Sequence, residues 1–301
     1  MSHPPKDSSW RLIRRTGWVL LLALLATIPL PASLDRAQEL YQRTQYREAL
    51  RLLEAIPQKT GAVHDLMGKC FYRLEEFSKA ADALEKAVAA EPRNANYRDW
   101  LGKAWGRRAE TSAFFNQPRY AVRAREHFER AVELDPQNRE ALSDLFEYYL
   151  EAPGFLGGGQ DKAAALSERV RTFDPARYHS MQARLAEKRK DFQAAERSLR
   201  QAAEQAPTEQ GRLVDLARFL ARQARQERFA ESDAAFEKAA QIAPDNAELK
   251  FTRARTYLDS KRNQGLARRL LEEYLKASLT PDDPPRAEAE RLLRSLGATR
   301  N

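Results

Sequence analysis

"GAVHDLMGKCFYRLEEFSKAADALEKAVAAEPRN", residues 61–94, is the stretch that decides the fold. Gly68 is followed twelve positions later by Ala80, then seven later by Ala87 and five later by Pro92, while Phe71, Phe77 and Leu84 fill the helical face between them. Two antiparallel helices approach closely only where the side chains between them are small, and proline cannot continue a helix. The stretch therefore describes two packed helices and a stop. Its second half, "SKAADALEKAVAA", consists of good helix formers.

That second half recurs at the same offsets as Ala124, Phe128, Ala131 and Pro136; as Ala195, Leu199, Ala202 and Pro207; and as Ser232, Phe236, Ala239 and Pro244. Small first-helix residues stand at Gly102, Ala183, Ala217 and Ala254. Weaker members flank these: Ala37 and Ala49 with Tyr46 at the start, Ala254 with Ala267 and Leu271 near the end. The unit after residue 138 diverges, with Phe146 and Val170 at small positions. The pattern resembles the tetratricopeptide repeat (TPR), a helix-turn-helix unit of 34 residues. The resemblance implies an all-α, right-handed superhelical solenoid of about seven units, near 34–60, 61–94, 95–138, 139–175, 176–209, 210–246 and 247–280. Residues 281–301, with "PPRAEAERLLRSLG", read as a capping helix and tail.

Composition agrees with that architecture. Hydrophobic residues make up 43% and charged residues 31%, with only 12 Gly and 15 Pro, and β-branched runs bounded by turn residues are absent. No sheet is expected. The single Cys70 excludes an intrachain disulfide and a cysteine metal cluster, so apolar packing must hold the fold. His3, His64, His127 and His179 are isolated, without the paired spacing of a metal-binding helix. No nucleophile elbow or catalytic cysteine context occurs. No cofactor and no enzymatic activity are expected.

The N-terminus is a separate piece. Arg11, Arg14 and Arg15 precede the apolar run "WVLLLALLATIPL", and "PASLDRA" follows. Positive flank, short apolar core and small residues are the order of a secretory signal. The core has 13 residues, whereas a spanning helix needs about 20. Leu30 sits where a small residue is preferred for cleavage after Ala32, so residues 1–33 read as a signal peptide or a signal anchor. Either places the chain outside the cytoplasm, in the periplasm or anchored in the inner membrane and facing it.

Four glycines crowd into "EAPGFLGGGQDKA", residues 151–163. The repeat-ending prolines Pro92, Pro136, Pro175, Pro207 and Pro244 are spaced 44, 39, 32 and 37 apart. The surplus of the third unit falls in "ETSAFFNQPRY" and that of the fourth in the glycine loop, so each lengthens a turn between two helices. A dinucleotide loop must follow a strand, and a Walker lysine must precede Ser or Thr; here a helical segment precedes and Lys162 is followed by Ala163. The loop reads as a turn: Pro153 stops one helix, Gly157 to Gly159 allow reversal, Asp161 caps the next helix, and Phe155 and Leu156 plug the turn. The remaining possibility is an anion nest of Gly157, Gly158, Gly159 and Lys162 ahead of a helix. A set of exported bacterial TPR proteins is similar in carrying such a Pro/Gly insertion in a middle repeat.

One feature points beyond the fold. Just after each small first-helix position stand Lys69, Lys103, Glu147, Arg184, Arg218 and Arg255, and four residues further on Arg73, Arg107, Glu151, Lys188, Arg222 and Asp259. Residues four apart share a helix face, and the resemblance implies that this face lines a concave groove. Nine of the twelve are basic: Lys69, Arg73, Lys103, Arg107, Arg184, Lys188, Arg218, Arg222 and Arg255. Two readings stay open. The face is solvated and locally paired, as Asp65 with Lys69, or it is a groove for a partner protein's acidic segment. The function expected is a non-catalytic scaffold of the cell envelope; the alternative is a binder of an anionic small ligand or envelope polymer. Nucleic acid suits the charge, and the export signal argues against it.

Overall fold

The computed structural model describes residues 30–223 and 226–298; most of the expected leader, residues 1–29, and His3 with it, lies outside them. The described residues form fifteen α-helices and no strand. The helices come in antiparallel pairs: α1 (Leu30–Gln42) with α2 (Tyr46–Glu54), α3 (Gly61–Arg73) with α4 (Phe77–Ala90), α5 (Ala95–Thr111) with α6 (Gln117–Leu134), and α7 (Arg139–Glu151) with α8 (Gln160–Val170). They continue with α9 (Pro175–Lys188) and α10 (Phe192–Gln205), α11 (Gln210–Arg222) and α12 (Gln226–Ile242), and α13 (Ala247–Asp259) and α14 (Gln264–Lys276). A last helix, α15 (Arg286–Ala298), packs on α14. No helix among the described residues is long and apolar enough to cross a membrane.

The repeated small residues are the points of helix contact. Ala80, Ala87, Ala124, Ala131, Ala195, Ala202, Ser232 and Ala239 are all fully buried. A methyl group added to Gly68 would lie 2.4 Å from Leu84 Cγ, and one added to Gly102 would lie 2.6 Å from the Phe128 ring. The divergent unit keeps its packing because Phe146 and Val170 are buried as well.

Helix starts repeat too. The side chains of Thr60, Asn94, Asn138, Asp174 and Asn246 accept hydrogen bonds from the backbone amides of Val63, Tyr97, Ala141, Arg177 and Leu249. Each satisfies one amide left free by the first turn of an odd-numbered helix. Within pairs, the tight turns use a left-handed residue: Thr44, Glu75, Lys190 and Lys261, with φ of 59°, 62°, 61° and 53°. The residue after each one donates back to the helix, as Glu76 N to Phe71 O at 2.9 Å and Asp191 N to Ala186 O at 2.9 Å. This is the hydrogen-bonded helix end that glycine usually supplies.

The glycine loop replaces such a turn with a one-turn 3₁₀ helix, Gly154–Leu156, closed by Gly157 at φ 87°. Gly158 and Gly159 amides return to Pro153 O and Tyr149 O, at 3.2 and 2.7 Å. Two expectations for this loop are corrected. Asp161 does not cap α8, because the cap position falls on Gly159 and has no side chain to bond. Phe155 does not plug the turn, because it is 81% exposed; the Leu156 carbonyl anchors the loop instead, accepting from Arg125 at 3.2 Å and Tyr148 at 2.9 Å.

Odd-numbered helices also touch along the array, α1 with α3, α3 with α5, α5 with α7, α7 with α9 and α11 with α13, to an extent the even-numbered ones do not. Crowding the odd helices together curves the stack, so they line its inner face. The α9–α11 and α13–α15 junctions are the looser exceptions.

Candidate partner-binding groove

All nine basic residues of the sequence pattern lie on odd-numbered helices, and the structure brings most of them onto carboxylates. Lys69 pairs with Asp65 at 2.6 Å. Lys103 sits among three acids, at 2.9 Å from Asp99, 3.1 Å from Asp144 and 3.6 Å from Glu140. Arg107 pairs with Glu110. Arg184 reaches Glu147 at 2.7 Å, Lys188 reaches Glu151 at 2.6 Å, and Arg222 reaches Glu187 at 2.9 Å, each across to the preceding odd helix. Arg255 meets Glu288 of α15 at 2.5 Å. Two residues depart from this ladder: Arg73 pairs at 3.2 Å with Asp282, far along the chain, and Arg218 makes no ion pair among the described residues. The sequence showed a basic stripe; the folded surface is mostly a ladder of ion pairs between repeats.

Arg218 lies where α9 and α11 diverge. A concave pocket of about 440 Å³ opens there, lined by α7, α9 and α11 with Leu199 of α10. Five arginines border it, Arg177, Arg184, Arg212, Arg218 and Arg222, against Glu147, Glu187 and Asp215. Two of the five, Arg177 and Arg212, stand three residues into their helices and reach back to the preceding odd helix, Arg177 to Ser143 and Arg212 to Ser180 at 3.0 Å. Sequence reasoning passed over them, although the arginine–serine spacing repeats at 34 and 32 residues. Asp215 makes no hydrogen bond or ion pair among the described residues. Burial pushes its carboxyl up, against the opposing pull of Arg218, Arg212, Arg222 and Arg184.

Nearer the N-terminus three ion-paired cations of the inner face gather around one indole. Lys69 Nζ, Arg73 Cζ and Lys103 Nζ lie 5.2, 5.7 and 4.8 Å from the Trp100 ring, within the range of cation–π attraction. The acids beneath are buried: Asp99 is 2% exposed, and burial together with the Asp144 carboxylate pushes its pKa up to about 7. Lys103 remains charged because these two carboxylates outweigh the cost of its own burial.

Lys162 Nζ donates to the Gly157 carbonyl at 2.9 Å and lies over the Tyr149 ring, so the loop's own backbone engages its cation. His127 is held near a pKa of about 4 by burial, with Arg98 and Arg123 adding to it. Cys70 is buried, and burial raises its thiol to about 12. No group of three or more His, Cys, Asp or Glu suited to a metal occurs among the described residues.

Paired helices, small residues at their crossings and an inner face of first helices define a TPR solenoid. Solved structures agree on the fold. A TPR protein from Parabacteroides merdae superposes with a TM-score of 0.55 at 14% identity, over 88% of this chain and 97% of that one. Human IFIT1, solved as a dimer with PPP-AAAA, gives 0.53 at 18% identity over 81% of this chain and 54% of its own. A thermophilic TPR protein from Thermus thermophilus gives 0.50 at 21% identity over 62% and 97%. No protein-family profile and no curated protein matches the sequence.

Proposed function

We propose that the protein is a non-catalytic scaffold that holds an acidic segment of a partner protein against its concave face, in the bacterial cell envelope. Arg218 carries the reading. It is a cation without an ion-pair partner, in a concave pocket where the neighbouring arginines are already held in place by Ser143, Ser180, Glu147 and Glu187. An unpaired guanidinium near a rim of pre-oriented arginines suits a carboxylate, which it binds through two parallel hydrogen bonds. Repeat solenoids offer extended concave surfaces suited to a partner's extended chain. The order of charge, apolar core and small residues at the N-terminus supports export.

The test is crosslinking in intact cells followed by capture, comparing parent with Arg218→Glu. Reversing Arg184, Lys188 or Arg222 instead would set them against Glu147, Glu151 and Glu187 and disturb the scaffold itself. Loss of a recurrent partner from Arg218→Glu, with unchanged helicity, supports the reading. A partner retained equally at low and high salt would sink it, since exposed charges are screened beyond about 8 Å at physiological ionic strength.

A further inference from the structure

The connection between α14 and α15 carries the sequence Thr280-Pro281-Asp282-Asp283-Pro284-Pro285, an acidic run between prolines. It is tied to its own helix, with Tyr274 donating to the Pro284 carbonyl and Arg286 to the Leu275 and Ala277 carbonyls, and its tip still reaches a distant helix. Asp282 Oδ1 meets Arg73 Nη2 of α3 at 3.2 Å, a contact 209 residues apart in the chain. Pro281 is buried, and with Asp282 it borders a cavity of about 610 Å³ whose other walls include Tyr41, Lys69, Trp100 and Arg139. The last turn of the solenoid therefore places an acidic segment beside Lys69 and Arg73 of its first turns.

Arg73 is only partly used by this contact. Its side chain is 25% exposed, whereas Asp282 is 93% exposed, and its Nε is buried with no hydrogen-bond partner. A buried donor left unpaired is costly and is satisfied when a second acceptor arrives. A carboxylate side-on to the guanidinium takes both Nε–H and Nη–H, which Asp282 in its present position does not; because Nε is enclosed, such a carboxylate has to displace what covers it.

We propose that Pro281–Asp282 is a built-in occupant of the groove mouth: it closes the solenoid on itself and yields Arg73 to the acidic, proline-flanked segment of a partner protein. This rests on the scaffold reading for the partner, and not for the closure. An exposed ion pair contributes little, which is what a displaceable occupant requires, and tethering supplies it at high effective concentration.

The experiment uses the full chain with spin labels at Glu48→Cys on α2 and Glu290→Cys on α15, both exposed; buried Cys70 stays unlabelled. The parent gives one narrow distance distribution. Asp282→Asn and Arg73→Gln each broaden it, and the charge-exchanged pair Arg73→Asp with Asp282→Arg narrows it again. A distribution unchanged by Asp282→Asn overturns the proposal. The second arm titrates a blocked synthetic peptide, Leu-Thr-Pro-Asp-Asp-Pro-Pro. It binds Asp282→Asn about two- to five-fold more tightly than the parent, the ratio set by one exposed ion pair, and Arg73→Gln binds it least. Equal affinity for parent and Asp282→Asn also overturns the proposal. If the distances respond and the peptide binds no variant, the closure stands and the reading of the groove as a site for acidic partners fails.

Discussion

At Gly158 the reason for glycine is local and severe. A Cβ there would lie 1.9 Å from the Ala152 carbonyl oxygen, which is backbone and has nowhere to go, whereas one at Gly154 meets nothing within 4 Å. Gly158→Ala should therefore destabilise by about 1–3 kcal/mol, the usual cost of overpacking, and Gly154→Ala should stay within about 0.5 kcal/mol; urea denaturation followed by circular dichroism separates them. Asp99 presents a different local problem, a carboxyl raised to about 7 by burial and by Asp144. The folded chain keeps a proton that the unfolded chain gives up near the ordinary carboxylate value of 3.8. Its contribution to stability is thus complete below that value and drains away as pH rises to about 7. Asp99→Asn removes its share of the dependence and leaves that of Asp144, whose carboxyl burial also raises, so the variant should gain on the parent as pH rises from about 4 to about 7. A difference in urea midpoint that is flat, or that moves the other way with pH, would show that Asp99 is ionised throughout.

The helix pair is the element that the sequence states most plainly, because small residues are needed wherever two backbones cross and their offsets survive divergence elsewhere. Gly68 against Leu84 and Gly102 against Phe128 are the direct physical counterparts of that spacing. The caps were legible as well and went unread: Asn94, Asn138 and Asn246 each stand two residues after a repeat-ending proline. The tight turns were not legible, since Glu75 and Lys190 occupy left-handed positions with side chains that carry no turn signature. Replacing Glu75 by glycine should remove the strain of that backbone and stabilise by about 0.5–1 kcal/mol, net of the greater freedom of the unfolded chain. Thermal unfolding of Glu75→Gly checks it, and a lower midpoint would count against the strain. The groove was half legible for a related reason. Basic residues just after the small positions follow from spacing within one helix, but their partners Glu147, Glu151 and Glu187 belong to the preceding unit, at separations of 37 and 35 instead of 34, and the glycine loop lies within the 37. Arg73 and its partner Asp282 are further out of reach, because only the curvature of the assembled array joins them.

Across the whole molecule the core is uneven. One continuous apolar cluster runs from Ala80 of α4 to Leu185 of α9, stitched by Trp105, Phe128, Leu142, Phe146 and Leu166. Beyond it the packing divides into two small clusters, one over α9–α11 and one over α11–α13, before a third forms over α13–α15 around Phe251, Tyr257, Leu271 and Tyr274. Repeat arrays contact only their neighbours, so stability is a sum of units and junctions, and a thinly packed junction opens first. Amide exchange should accordingly be slowest in α5–α8 and faster across α11–α13, with α13–α15 able to open without the rest. Leu271→Ala tests that independence, because the side chain is fully buried within the last cluster. It should cost about 2–5 kcal/mol there, accelerating exchange in α13, α14 and α15 while leaving α5–α8 at parental rates. Acceleration of equal size in α5–α8 would mean that the solenoid unfolds as one cooperative body and that the division of its core has no thermodynamic consequence.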